Sequence, residues 1–407
     1  MDPPESPPEH SAPGADGTAS GAGAPAAPPR PHLVFYEVTR RCPLACVHCR
    51  ARAQTEALPG ELSTSSAVRW IEGLAAFGTP PVLVLTGGDP LSRPDLFELV
   101  RAARDRGLPV AVSPAVSAAL TPAVLGRLAR EEVSAISLSL DGALAATHEA
   151  VRRQPGVFDA TVRAFREAVA AGLRVQMNTA VLRSNLSELP RLFGLVRDLG
   201  LSAWEVFFLV RTGRAETLED LVPAEYEAVA QFLYDASRHG VAVRPIEAPF
   251  VRRILRERRR GPPEGLSAGY AKLSSDLEAI VGAPTGPSTL RPHGPLDGDG
   301  TIFVRYDGAV FPGGFAEYPL GNVQSTPLAT IYRDHPALAR IRRREFHGPC
   351  GVCPYRGCCG GSRGRAYAVG QDLFGSDPAC AFAPQLLGTA GSGATSPPRL
   401  SGPGPGA

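Results

Sequence analysis

The stretch "RCPLACVHCR" (residues 41–50) places three cysteines, Cys42, Cys46 and Cys49, within eight positions. Thiols this close together mark a metal site, yet tetrahedral zinc takes four ligands and an ordinary iron–sulfur cluster takes four cysteines. Three readings of the residues compete. They are unrelated buried cysteines, a zinc ion completed by His48, or a cubane cluster with one iron left free of protein. His48 adjoins Cys49 and is poorly placed to turn toward the same metal. Thiolates are soft ligands suited to iron–sulfur clusters, and an iron without a protein ligand can take a substrate.

Working outward, the group follows an apolar run, Leu33–Val38 (LVFYEV), the first of six such runs. The others are Val82–Leu85, Val110–Val112, Ala135–Leu140, Val175–Val181 and Trp204–Val210. Amphipathic stretches lie between and after them: Thr64–Phe77, Asp95–Arg106, Pro122–Glu131, Phe158–Ala171, Leu186–Leu199 and Ala224–His239. Gly107, Gly172 and Gly200 stand just past the last turns of three of these, as helix stop signals do. Strands each followed by a helix imply right-handed parallel βα units. The repeat is shorter than the roughly 250 residues of an eightfold barrel, so an α/β fold with a partial (β/α)6 TIM-type barrel is expected over 32–244. A doubly wound sheet is the structural competitor. In a parallel barrel, a cysteine loop after the first strand falls at the catalytic face.

Composition bounds the rest. The chain has 407 residues, 43% apolar and 20% charged, with a net charge of +2 that favours no nucleic-acid partner. Residues 1–31 contain nine prolines and no Leu, Ile, Val, Phe, Tyr or Trp. That segment and 386–407 are expected to be disordered, because they lack the apolar surface to offset ordering entropy. With neither a signal-peptide pattern nor a long apolar run, the chain reads as cytoplasmic, with no membrane partner. Its basic runs, Arg252–Arg260 and Arg340–Glu345, read as solvated helix faces or as a rim for an anionic substrate.

The other five cysteines gather near the C-terminus: Cys350, Cys353, Cys358, Cys359 and Cys380. In a reducing compartment such clustering points to metal rather than disulfides. A structural zinc knuckle or a cluster fits the spacing. Residues 245–300, rich in Pro, Gly and Arg, read as a linker with some helix. "TIFVRYDGAVFPGGF" (301–315) reads as a hairpin turning at Asp307–Gly308 and opening a small domain over 301–385.

The Cys-x3-Cys-x2-Cys loop after a first strand resembles that of the radical S-adenosylmethionine (SAM) enzymes. "TGGDP" (Thr86–Pro90) resembles their Gly-Gly-Glu-Pro motif, with Asp89 in place of Glu. "SLDG" (Ser139–Gly142), "HEAVR" (His148–Arg152) and "MNTAV" (Met177–Val181) resemble fourth- and fifth-strand segments of the peptide- and haem-modifying branches. The resemblance implies a [4Fe–4S] cluster on Cys42, Cys46 and Cys49. It also implies SAM contacts from Gly87, Gly88, Asp89, Pro90, Ser139 and Asn178. An electron would split SAM into methionine and a 5′-deoxyadenosyl radical that takes hydrogen from a substrate. "CGVCPYRGCCGGSRGRAYAVGQDLFGSDPAC" (350–380) resembles a SPASM-type extension carrying an auxiliary [4Fe–4S] cluster. Relatives with two auxiliary clusters have a cysteine after the hairpin proline. Here Pro312 is followed by Gly313 and Gly314, so one auxiliary cluster is expected, on Cys350, Cys353, Cys359 and Cys380, with Cys358 spare.

"FFLVRTGRA" (207–215) and "CGGSRGRAYAV" (359–369) look most like the haem-biosynthesis branch. A tetrapyrrole is therefore the first expected substrate, and a ribosomally made peptide the second. A cluster protein without SAM turnover is the non-enzymatic alternative. A ferredoxin- or flavodoxin-type protein is the expected electron donor. No residue is assigned a catalytic role beyond these.

Overall fold

The computed structural model describes residues 28–261, 265 and 267–383. The C-terminal tail and most of the N-terminal tail read above as disordered lie outside the described residues. Seven parallel strands follow in chain order: β1 (Leu33–Glu37), β2 (Val82–Thr86), β3 (Val110–Val112), β4 (Ala135–Ser139), β5 (Val175–Val181), β6 (Ala203–Phe208) and β7 (Ala242–Ile246). Each pairs with its predecessor in parallel register. This is the barrel-type α/β architecture expected from the repeat, and the doubly wound alternative falls, because strand order never reverses.

Local sequence explains the elements. Helix Leu96–Asp105 buries Leu96, Leu99, Val100 and Ala103, the i, i+3, i+4, i+7 stripe of an amphipathic helix. Helix Pro122–Arg130 starts where the Thr121 hydroxyl accepts from Val124 N at 3.3 Å and Pro122 takes the first helical turn. Trp204 anchors the core between Phe193 and Phe232, with ring centroids 5.8 and 6.3 Å away. Its indole N–H donates to Thr179 Oγ1 at 2.9 Å, so the one polar atom of a fully buried ring is satisfied.

Two features differ from the sequence reading. β7 is a seventh parallel strand at the start of the presumed linker. Its sequence, AVRPI, hides the signal because Arg244 and Pro245 interrupt the apolar run. Both are tolerated because β7 is an edge strand, where a missing N–H breaks no ladder. The linker also carries helices Val251–Arg258 and Ala268–Val281, the latter packed on Leu189–Asp198 and Pro223–Ala236.

The second difference concerns the hairpin. After the two-residue β8 (Leu296–Asp297), β9 (Gly300–Val304) and β10 (Ala309–Phe311) pair antiparallel around Asp307–Gly308. β9 also pairs in parallel with β1, and β10 pairs with β11 (Gly321–Asn322). The hairpin therefore continues the barrel sheet, in the order β11–β10–β9–β1–β2–β3–β4–β5–β6–β7. The C-terminal ends of β1 to β7 share one edge of this sheet, and the loops there form the candidate site. No helix among the described residues is long and apolar enough to cross a membrane.

Candidate active site and cysteine centres

The first cysteine loop is fastened at both ends to β1. Cys42 N donates to Gln54 O at 2.7 Å and Gln54 N to Arg40 O at 2.9 Å. Within it, Cys49 N donates to Cys46 O, and Leu44 N reaches Cys42 Sγ at 3.4 Å. Glu37, fully buried at the end of β1, accepts from Arg40 Nε at 2.8 Å and Arg50 at 2.9 Å.

The segment Thr86–Pro90 presses against this loop. Gly88 N donates to Thr39 O at 2.7 Å and Asp89 N to Arg41 O at 2.8 Å. A Cβ on Gly87 would stand 2.3 Å from Thr39 O, and one on Gly88 2.4 Å from Arg41 O, so both positions must be glycine. Asp89 is fully buried and spends its carboxylate inside the protein, accepting from Leu91 N, Ala115 N and Ser117 Oγ. Burial nevertheless raises its pKa. Asp89 thus holds the β2 and β3 loops together.

Ser139 and Asn178 are direct neighbours in the β4–β5 register. Asn178 Oδ1 accepts from Gln176 Nε2 at 3.2 Å. Ser139 lines a cleft with Leu44, Ala115, Val116, His148 and Arg152. The cleft therefore joins the cysteine loop to the ends of β3 and β4.

Two supports escaped the sequence reading. Asp141, fully buried, accepts from Ala180 N at 2.8 Å and pairs with Arg152 at 2.5 Å. Arg152 in turn points NH1 at Cys46 Sγ, 3.6 Å away. Burial alone would raise the Asp141 pKa, but Arg152 and His48 hold it below the usual carboxylate range. The signal was present in "SLDG" and "HEAVR"; their pairing is a tertiary fact. The other support is Arg214. Its Nε donates to Cys46 O at 2.8 Å, its NH1 to Ala53 O at 2.9 Å and its backbone N to Cys49 O at 3.0 Å. Gly213 lets this happen, since a Cβ there would lie 2.3 Å from Arg50 O. "FFLVRTGRA" is thus a staple for the cysteine loop.

The second cysteine group surrounds a pocket lined by Cys350, Cys353, Cys359 and Cys380, with Phe250 and Asp377. Three of its sulfurs receive backbone N–H groups: Cys353 from Tyr355, Cys359 from Gly361 and Cys350 from Asp377, at 3.4–3.5 Å. Cys358 lies outside this lining. It is buried, its Sγ donates to Tyr355 O at 3.3 Å, and its carbonyl accepts from Arg252. A Cβ at Gly313 would fall 2.0 Å from Asp297 Oδ1, so no side chain, cysteine included, fits at that position.

The donor sets suit iron–sulfur clusters. Burial pushes the Cys42 thiol up to about 12 and raises Cys353, Cys359 and Cys380, so these thiols need a cation to ionise. Around the first loop, His48 Nδ1, Arg152 Nε and Arg214 NH2 are buried without partners, polar atoms that await a bound group. Among the described residues no three His, Cys, Asp or Glu side chains gather on a single ion. The C-terminal thiols instead ring a space, as separate irons of one cubane require.

The basic runs divide: Arg256, Arg259, Arg260, Arg340 and Arg343 are exposed, as on a solvated helix face, while the others turn inward. Arg252 caps the carbonyls of Cys358, Gly294 and Pro295, while Arg253 and Arg258 pair with Glu227 and Asp235. Arg342 binds the Tyr332 carbonyl and Arg344 pairs with Asp299. These arginines hold the fold together.

Residues 36–196 match the model of the radical SAM superfamily. The AdoMet-dependent heme synthase of Nitratidesulfovibrio vulgaris is 37% identical over 359 residues, 87% of this chain and 93% of that protein. The protein of the same name from Methanosarcina barkeri is 34% identical, over 87% of this chain and 97% of that one. The solved structure of anSMEcpe with bound AdoMet shares the fold, with a TM-score of 0.60 at 15% identity over 88% of this chain and 98% of that one. The protein is accordingly an enzyme using a [4Fe–4S] cluster and SAM, and the non-enzymatic alternative falls. With a three-thiol loop at the C-terminal edge of its parallel barrel and relatives 34–37% identical over 87% of its length, the chain belongs to the radical SAM superfamily.

Proposed function

We propose that the enzyme converts a tetrapyrrole precursor to haem, in keeping with relatives named AdoMet-dependent heme synthases. The observation that carries this reading is that the haem synthases are 37% and 34% identical over 87% of this chain, whereas a mycofactocin maturase and a PqqA peptide cyclase are 29% and 28% identical over a similar share. Cys42, Cys46 and Cys49 would hold a [4Fe–4S] cluster, which would supply the site and the electron for splitting SAM. Gly87 to Pro90 offer backbone groups to the methionine end, and Ser139 and Asn178 flank the nucleoside side. Bound there and reduced by one electron, SAM supplies a 5′-deoxyadenosyl radical that takes hydrogen from the substrate.

The chain's own residues prepare that step. Arg214 holds the carbonyls of Cys46 and Ala53 so that the loop keeps one shape. Arg152, fixed by Asp141, offers a donor to Cys46 Sγ. Leu44, Ala115 and Val116 make part of the cleft apolar, which limits water near the reacting atoms. Cys350, Cys353, Cys359 and Cys380 hold one auxiliary [4Fe–4S] cluster. Eight cysteines with no disulfide between them fit a reducing cytoplasm, and a ferredoxin- or flavodoxin-type protein would supply the electron.

The test is anaerobic reconstitution with dithionite, SAM and iron coproporphyrin III as probe. Haem and 5′-deoxyadenosine formed in step are expected. 5′-Deoxyadenosine released with the porphyrin unchanged would turn the assignment toward a peptide substrate, and none released would overturn it entirely.

A further inference from the structure

Across the seven parallel strands β1 to β7, Arg244 is the only lysine or arginine. It stands on β7, the last strand of the sheet, where the barrel is open.

The pleat fixes where this side chain points. Successive residues of a strand face opposite sides, and registered neighbours share a side. Trp204 faces outward, against Phe193 and Phe232 of the flanking helices, and Val206 is fully buried. Glu205 between them therefore faces the barrel interior. The register then sets Ser139, Asn178, Glu205 and Arg244 in one row across β4, β5, β6 and β7, all on that inner wall. Ser139 is the member of the row that lines the cleft beside the first cysteine loop. Three strand spacings, about 14 Å, separate its backbone from that of Arg244.

Arg244 is held at one corner only. Its NH1 donates to Gln176 Oε1 at 3.1 Å and to Glu205 Oε1 at 3.2 Å. Gln176 in turn donates Nε2 to Asn178 Oδ1 at 3.2 Å, so the row is tied together. Among the described residues nothing accepts from Arg244 Nε or NH2, and the side chain is 44% exposed. A guanidinium carries five N–H donors in a planar fork, and a carboxylate can take two of them in parallel. Here two acceptors already fix the plane of that fork and leave its Nε–NH2 edge free. Two residues further along the same wall, Phe207 and Ile246 pair in register, both half-buried. The wall thus offers a cation beside an apolar surface, which suits an apolar body bearing a carboxylate.

We propose that the Nε–NH2 edge of Arg244 receives a carboxylate of the substrate, with the apolar body of that substrate lying against Phe207 and Ile246. This rests on the tetrapyrrole reading above, since iron coproporphyrin III has an apolar macrocycle rimmed by propionate carboxylates. The site lies across the barrel interior from the cysteine loop, so the carboxylate it holds sets how the macrocycle is turned toward Ser139 and Asn178. Arg244 is on this account a specificity-determining residue that touches substrate.

The experiment titrates the reconstituted full-length holoenzyme, anaerobically and with SAM present, with iron coproporphyrin III and separately with its tetramethyl ester, following the porphyrin Soret band. The native enzyme is expected to bind the free acid at least roughly tenfold more tightly than the ester. Arg244→Gln should lose most of that preference by weakening acid binding alone. Arg244→Lys, which keeps the charge without the fork, should recover part of it. The ester has no carboxylate for Arg244 to hold, so unaltered ester affinity shows that the variants retain the native fold. Equal affinity of the native enzyme for acid and ester, or an unaltered preference in Arg244→Gln, would overturn the carboxylate site alone. Equal weakening of acid and ester in both variants would also overturn it, by making Arg244 a support of the wall. Failure of the native enzyme to bind either porphyrin would overturn the tetrapyrrole reading and this site with it.

Discussion

Arg214 donates Nε to the carbonyl of Cys46 across 168 positions of sequence, at 2.8 Å. One side chain from the loop after β6 thereby sets the shape of the loop after β1. Hydrogen bonds from charged donors of this kind contribute about 1.5–3 kcal/mol each. Arg214→Ala should therefore lower 5′-deoxyadenosine formation by at least roughly tenfold, since each 1.4 kcal/mol is a factor of ten. Iron bound at the C-terminal centre should be retained. Anaerobic turnover together with iron analysis checks this, and unchanged turnover would refute the staple.

Gly88→Ala is expected to destabilise the chain by about 1–3 kcal/mol, the usual range for overpacking. The added Cβ would stand 2.4 Å from Arg41 O and 2.7 Å from Arg40 O, both backbone atoms that cannot swing aside. Thermal unfolding should show a lower Tm, and SAM affinity measured by calorimetry should fall with it.

Cys358→Ala and Cys359→Ala should separate cleanly. Two cubanes give about eight irons per chain. The Cys358 variant should keep all of them, because its thiol lies outside the cavity and donates to Tyr355 O. The Cys359 variant should drop toward four. About twelve irons in the unmodified protein would show a third cluster.

His148 makes stability depend on pH. It is fully buried beside Arg152, and burial first, then that cation, lower its pKa from 6.5 to about 4. Between pH 6.5 and 4 the unfolded chain binds a proton at this ring that the folded one refuses. Stability contributed by the neutral ring is thus present above about 6.5 and lost as pH falls toward 4. Tm should decline over that window at constant ionic strength, and less steeply in His148→Gln. Equal slopes would remove His148 as a cause.

The α/β repeat, the three-cysteine loop and the second cysteine group were all legible in the sequence. Each rests on short-range patterns: apolar runs alternating with amphipathic stretches, and thiols a few residues apart. β7 was not legible, because an edge strand accepts the Arg244 and Pro245 that break its pattern. Nor was the fate of the basic runs, since whether an arginine faces solvent or caps a carbonyl depends on what packs beside it.

The sequence by itself determined the donor chemistry: three thiols where an iron can stay open, and more than enough for a closed set near the C-terminus. Only the tertiary structure decided which thiols line the second cavity and what holds the first loop. It also set the hairpin strand β9 beside β1, so that the C-terminal hairpin extends the barrel sheet. The physical reason is distance along the chain. Ligand type and spacing are local, whereas a staple spanning 168 residues exists only once the sheet has folded.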